Sequence, residues 1–152
     1  TGRILYMKSM EIRGFWTGGS AQAAGRGICR MILIYDRQTN AAEPALDDVI
    51  YPAEVEGLRN LANRARFKII KDETWQVCRS TQTDEIFDQA PFHWYVQLPK
   101  NCQKTVYNAG DAGTVADIET GALYLYLITD TPAGTDTEAM IDYNIRVRFY
   151  DA

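Results

Sequence analysis

The tightest constraint on this chain is a strict alternation centred on residue 145. Ile141, Tyr143, Ile145, Val147 and Phe149 take one parity, and Asp142, Asn144, Arg146, Arg148 and Tyr150 take the other. Successive side chains of an extended chain point to opposite sides, so a period of two marks a strand with one apolar face. A helix of 3.6 residues per turn would scatter the same residues round its circumference. Phe67, Ile69, Trp75 and Val77 repeat the pattern against Arg66, Lys68, Asp72, Thr74 and Gln76. Phe92, Trp94, Val96 and Leu98 repeat it against His93, Tyr95 and Gln97. The apolar parity of 141–149 is expected to lie in the core against Phe67, Ile69, Trp75 and Val77.

Two further runs, Ile28 to Tyr35 and Ala122 to Ile128, are apolar on both parities. Such a strand is covered on both sides. With little helix to supply a cover, a neighbouring copy of the chain is the expected one. Turn signals at Gly14, Gly18-Gly19, Gly25 to Gly27, Asn40 to Pro44, Asn108 to Gly110 and Pro132 to Gly134 divide the runs. One short helix is predicted from Pro52 to Asn63, where Val55, Leu58, Leu61 and Ala62 recur at helical spacing after a proline start. Strands are predicted at 3–16, 27–36, 66–79, 92–98, 103–107, 114–118, 121–129 and 139–150. This pattern predicts an all-β chain, an eight-stranded jelly-roll β-sandwich with one short helix in an inter-strand loop. No internal repeat or linker interrupts it, so residues 1–152 are read as a single domain.

At 152 residues the chain is long enough for one core without staples. Hydrophobic residues at 46% and charged residues at 24% set it apart from disordered and membrane classes. The longest apolar stretches, such as Gly121 to Ile128, fall far short of the ~20 residues a membrane-spanning helix needs, so no membrane insertion is expected. No basic region followed by an apolar one marks a signal peptide. The chain opens on Thr1 and enters strand-like sequence at once, so a further N-terminal segment is expected to have preceded it.

Signals for chemistry are weak. Cys29, Cys78 and Cys102 lack the C-x-x-C spacing of a zinc site and are odd in number for a disulfide framework, so buried thiols are expected. His93 is the single histidine and alternates with Phe92 and Trp94 in a strand. It has no local nucleophile signature and cannot build a multi-histidine metal site. Asp47-Asp48, Asp84-Glu85 with Asp88, and Asp117 with Glu119 lack the D-x-D-x-D-G calcium pattern and read as solvated loops. No catalytic residue, metal or cofactor is expected.

The basic residues say more. A net charge of −4 argues against nucleic-acid binding by bulk electrostatics. In a jelly roll, however, the first, third, sixth and last strands share a sheet. That partition brings Arg66 and Lys68 of the third strand beside Arg146 and Arg148 of the last, on one polar face, with Arg3, Lys8 or Arg13 of the first strand available to join them. Arg66, Lys68, Arg146 and Arg148 are therefore the candidate nucleic-acid-binding residues, able to meet phosphates whatever the base sequence. The equal alternative is that they pair with acidic residues of a neighbouring subunit.

Three segments, in order, carry a family resemblance. Ile32-Leu33-Ile34-Tyr35-Asp36-Arg37-Gln38-Thr39-Asn40, followed by Ala41-Ala42-Glu43-Pro44, resembles the second strand and following loop of the coat proteins of small circular single-stranded DNA viruses that encode a replication initiator. Asn63-Arg64-Ala65-Arg66-Phe67-Lys68-Ile69-Ile70-Lys71-Asp72 resembles their third strand. Val106-Tyr107-Asn108-Ala109-Gly110, with Gly113 to Ile118 and Gly121-Ala122-Leu123-Tyr124, resembles the approach to their penultimate strand. The satellite tobacco necrosis virus and geminivirus coats share the general architecture. The resemblance implies a jelly roll, a closed icosahedral shell of sixty copies around single-stranded DNA, and a basic N-terminal arm, missing before Thr1, that supplies most of the DNA affinity. It also implies residence in the virion, assembly in the host nucleus and an unidentified host receptor. The rival from another class is a carbohydrate- or receptor-binding jelly-roll module, whose site would be an exposed Trp16, Trp75 or Trp94 beside acidic loops.

Overall fold

The computed structural model describes residues 3–18, 27–77, 89–108, 113–130 and 139–151. The strands are β1 (Ile4–Thr17), β2 (Gly27–Asp36), β3 (Ile50–Tyr51), β4 (Leu58–Arg59), β5 (Phe67–Val77), β6 (Gln89–Gln97), β7 (Lys104–Tyr107), β8 (Ile118–Thr120), β9 (Ala122–Thr129) and β10 (Met140–Asp151), with one α-helix, α1 (Leu46–Val49). Among these described residues no helix is long and apolar enough to cross a membrane.

β1 organises the larger sheet because its backbone pairs along both edges. On one side lies β10, antiparallel from Leu5↔Asp151 to Thr17↔Met140. On the other lie β6, opposite Ser9 to Thr17, and β7, opposite Ile4 to Tyr6, with β8 beyond β7. The second sheet has the order β5-β2-β9. Met10, Ile12 and Trp16 of β1 and Phe92, Trp94 and Val96 of β6 pack on Cys29, Met31, Leu33 and Tyr35 of β2 and on Val77 of β5. The chain is thus an all-β sandwich, as the alternation predicts. The Tyr35 hydroxyl donates to the Lys104 carbonyl, and Thr105 Oγ1 donates to the Gly121 carbonyl at 2.6 Å, tying the two sheets at one end.

The sheet partition differs from the jelly-roll expectation. β5, the third long strand, lies beside β2 from Gly27↔Val77 to Asp36↔Phe67, not beside β10. Side chains hold it there. Arg30 Nε and Nη2 reach Asp72 at 2.8 and 2.7 Å, and Arg66 Nε and Nη2 reach Asp36 at 3.0 and 2.8 Å. The register also shifts between Leu33 and Ile34, where Lys71 and Ile69 are the successive partners and Ile70 is extra. A bulge of one residue exchanges the faces of a strand. Trp75 and Val77 therefore pack between the sheets, whereas Phe67 and Ile69 pack on the other face with Ile32 and Ile34.

Residues 37–66 cover that other face. Val49, Ile50 and Val55 pack on Ile32, Ile34, Phe67 and Ile128, so β2 is covered on both sides by its own chain and needs no neighbouring copy there. The predicted helix over 52–63 is replaced by turns and the β3–β4 pair, and the short helix falls earlier, at α1. The reason lies 25 residues away. Arg30 Nη1 takes the carbonyls of Val55 and Gly57 at 2.6 and 2.7 Å, acceptors that a helix would use itself. Gly57 also allows a close turn, since a Cβ there would stand 2.0 Å from the Pro52 oxygen.

β10 gives the largest departure. Ile145 is opposite Ile12, Val147 opposite Met10 and Phe149 opposite Met7, so its apolar parity does share the core-facing side of the sheet. The three-stranded sheet does not reach over it. Tyr143 and Ile145 are each 44% exposed, Val147 38% and Phe149 59%, while Ile141 alone is half-buried against the core. Of the expected packing, Ile141 alone joins the cluster that holds Trp75 and Val77, while Phe67 and Ile69 belong to the cluster on the other face of their sheet. Between β10 and β9 an open apolar cleft of about 330 Å³ is lined by Met7, Met10, Leu33, Leu125, Ile145 and Val147.

Candidate functional site

The outer face of the five-stranded sheet collects the basic side chains that remain available. Residues directly opposite each other in antiparallel strands share a face. Glu11 is opposite Arg146 and Tyr95, Arg13 is opposite Asn144 and His93, and Ser9 is opposite Arg148 and Gln97. Further along, Tyr6 is opposite Tyr150 and Lys104. A register shift between Met7 and Ser9 puts Lys8 on this side too, with its Nζ 4.5 Å from the Tyr150 ring centre. Lys8, Arg13, Lys104, Arg146 and Arg148 therefore share the face with Glu11 and Asp142. Tyr6 and Tyr150 stack there with ring centres 5.1 Å apart, and Tyr95 stands exposed.

Glu11 is the centre of the charge arrangement. Its Oε1 accepts from Arg13 Nε at 3.0 Å and lies 3.2 Å from His93 Nε2, and its Oε2 lies 3.9 Å from Arg146 Nη1. The His93 hydrogen bond, followed by the Arg13 charge, holds the Glu11 carboxyl below its ordinary value. The Arg146 side chain remains 70% exposed despite this contact, so an approaching anion can reach it. The covering segment on the opposite side of the sandwich is mixed in charge, with Glu43, Asp47, Asp48, Glu54 and Glu56 flanked by Arg37, Arg59, Arg64 and Arg66. A chain whose net charge is −4 thus gathers five basic side chains on the outer face of its larger sheet.

The four sequence-predicted binding residues do not form one patch. Arg146 and Arg148 lie on the basic face. Arg66 is on the far sheet, where its guanidinium neutralises Asp36, a carboxylate with no exposed surface. Lys68 is exposed opposite Tyr35 on the inward side of β5. Their expected proximity depended on β5 lying beside β10, and the Asp36 and Asp72 contacts place it elsewhere. Arg13 and Lys8 share that face with them. Nothing local in the sequence marks Lys104, Tyr6 or Tyr95 as their neighbours, although Tyr150 has the same parity as Arg146 and Arg148.

The tryptophans offer no sugar platform. Trp16 and Trp94 are buried and Trp75 is half-buried. Their rings pack at a tilt against one another and against Phe92, at 5.5 to 6.5 Å between centres. Trp94 Nε1 donates to Glu73 at 2.6 Å. Cys29 and Cys102 are buried free thiols, and burial pushes the Cys29 thiol up to about 12, far from a reactive thiolate at neutral pH. Cys78, Asp84, Glu85 and Asp88 lie outside the described residues. Asp117 accepts from the Thr114 amide at 3.0 Å in a capping box, and the Asp47 and Asp48 carbonyls accept from Asn60 and Asn63. Among the described residues no three His, Cys, Asp or Glu side chains converge as metal ligands would. No family model matches the chain, and no curated protein matches it in sequence.

Proposed function

We propose that this chain is the subunit of a self-assembling coat, with about sixty copies closing around single-stranded DNA as in the viral coats its sequence resembles. The observation that carries the reading is the open row Tyr143, Ile145, Val147 and Phe149, at 38–59% exposure on a face that is core elsewhere in the same sheet. A domain that leaves part of its inner face uncovered gains stability from a partner, because an apolar row beside an apolar cleft is surface that association removes from water. The basic face supports the same reading. With its exposed tyrosines it suits a disordered single strand, by phosphate contact and base stacking.

The test is assembly of the purified chain, followed by sedimentation velocity and negative-stain imaging across pH and salt. Closed particles are the expected outcome. Well-folded monomer under every condition overturns the reading. The DNA component is tested separately in the particles. Replacing Arg146 and Arg148 together by alanine should reduce the salt slope of single-strand binding by about 1.4, at ~0.7 for each phosphate no longer neutralised. An unchanged slope, or an exterior location of both arginines, removes them from the DNA interface.

A further inference from the structure

We infer that β10 pairs edge to edge with β10 of a second copy of this chain, antiparallel about a two-fold axis through Ile145. Among the described residues β10 pairs with β1 alone, so its other edge has no strand partner. Exposed edges are commonly blunted by shortness, proline or lysine. β10 is 12 residues long and has neither proline nor lysine. Its apolar row is also open to solvent, so backbone and side chains are both available at this edge.

The choice of a second copy as the occupant follows from the sequence of the strand, which is complementary to itself. With Ile145 opposite its own copy, Asp142 is opposite Arg148 of the second copy, and Asn144 is opposite its Arg146. On the other face Tyr143 meets Val147 and Ile141 meets Phe149. The one mixed pair is Met140 with Tyr150 at the ends, while the Asp142–Arg148 pair occurs twice by symmetry and the apolar parity from Ile141 to Phe149 meets only itself. Such pairs are what stabilise adjacent antiparallel strands. The neighbouring registers are worse. A shift of two residues in one direction sets Arg146 against its own copy, and in the other it keeps a charge pair, Asp142 with Arg146, but leaves Arg148 opposite Met140. A shift of one residue would set polar side chains against apolar ones. The contact is isologous, with one surface serving both partners. It joins the two five-stranded sheets into one and makes the Arg13, Arg146 and Arg148 groups of both copies a continuous basic surface.

This pairing goes beyond the coat reading and stands independently of it. A two-fold contact closes on itself, so a shell would need other contacts as well. Two measurements test it. The first is sedimentation equilibrium, without nucleic acid, of the parent chain, Asp142→Arg, Arg148→Asp and the double exchange. Both positions lie on the exposed polar parity, and folding is checked by circular dichroism in each variant. Either single exchange opposes like charges and should weaken dimerisation at least tenfold. The double exchange restores opposite charges and should return it to within about threefold of the parent.

The second reads register directly. Ile145→Cys should cross-link to itself on mild oxidation, since directly opposite residues lie within disulfide reach. Tyr143→Cys should not, because its own copy is four residues away along the strand, about 14 Å at ~3.4 Å per residue. Monomeric parent chain, singles that dimerise as tightly as the parent, or cross-linking through residue 143 in place of 145 each overturn the inference. Particles that form without the 145–145 cross-link overturn it while leaving the coat reading in place. A cross-linked dimer that never builds particles does the reverse.

Discussion

Arg66→Ala separates a structural arginine from a DNA-binding one. In the folded chain the Asp36 carboxylate has no exposed surface and accepts three hydrogen bonds, from Arg66 Nε at 3.0 Å, Arg66 Nη2 at 2.8 Å and the Gln38 amide at 2.9 Å. The substitution removes two of them together with the only cation paired with Asp36 among the described residues. Breaking one side of a buried ion pair costs ~3–5 kcal/mol because the remaining charge stays desolvated. The Arg66 side chain is 24% exposed and the Gln38 amide still holds Asp36, so the lower end, about 3 kcal/mol, is expected. Urea unfolding of the purified chain provides the assay. With a slope of ~1–3 kcal/mol/M for a domain of this size, the midpoint should fall by about 1–3 M. Adding Asp36→Leu in the same chain should recover most of the loss, since replacing both partners removes the stranded charge. An unchanged midpoint with weakened DNA retention would refute the reasoning and return Arg66 to the phosphate-binding residues.

Other perturbations follow from the same contacts. Because the Glu11 carboxyl titrates below its ordinary 4.5, its contribution to stability is fully present above that value and is lost as pH falls through the depressed one. Glu11→Gln should therefore lower stability in the neutral region, where the contribution is fully present, and flatten the acid limb of an unfolding profile below about pH 4.5, so that the two profiles converge in acid. Gly121 has φ +80°, and a Cβ there would stand 2.0 Å from the Lys104 oxygen and 2.5 Å from the Tyr35 hydroxyl. Gly121→Ala should accordingly cost more than the ~1–2 kcal/mol of a left-handed residue alone, read as a fall in thermal midpoint and soluble yield. Ile145→Ala should cost the isolated subunit less than the ~2–5 kcal/mol of a fully buried site, yet weaken association measurably; a full-sized loss in the monomer would mean the row is buried after all.

The sequence was most informative where a pattern is local. The limits of β2 were legible at Gly27 and Asp36, and the alternation from Ile141 to Phe149 assigned both a strand and its core-facing side. Coverage of that side was not legible, because it depends on which strands of the other sheet lie above. A single unpaired residue, Ile70, exchanged the faces of β5 and separated Phe67 and Ile69 from Trp75 and Val77. Helical spacing over 52–63 yielded to an arginine 25 residues upstream, which no local window contains. The role of Arg66 was hidden for the same reason, since its partner is 30 residues away. A signal was present there, because a carboxylate closing a strand apolar on both faces calls for a cation. For the basic face, parity placed Arg146 and Arg148 on one side of their strand but could not show that Tyr6 would lie between Tyr150 and Lys104.

The pairing of the first strand with the last also sets an order of events during synthesis. About 120 residues separate the end of β1 from the start of β10, so at ~5–20 residues per second β1 waits roughly 6 to 25 seconds on the ribosome for that partner. β6 emerges earlier, so the larger sheet is built from the β6 side and receives β10 afterwards. The strand that presents the uncovered apolar row is thus the last described element to leave the tunnel. A nascent chain has no such row to offer its neighbours on a polysome until the rest of the sandwich has been made.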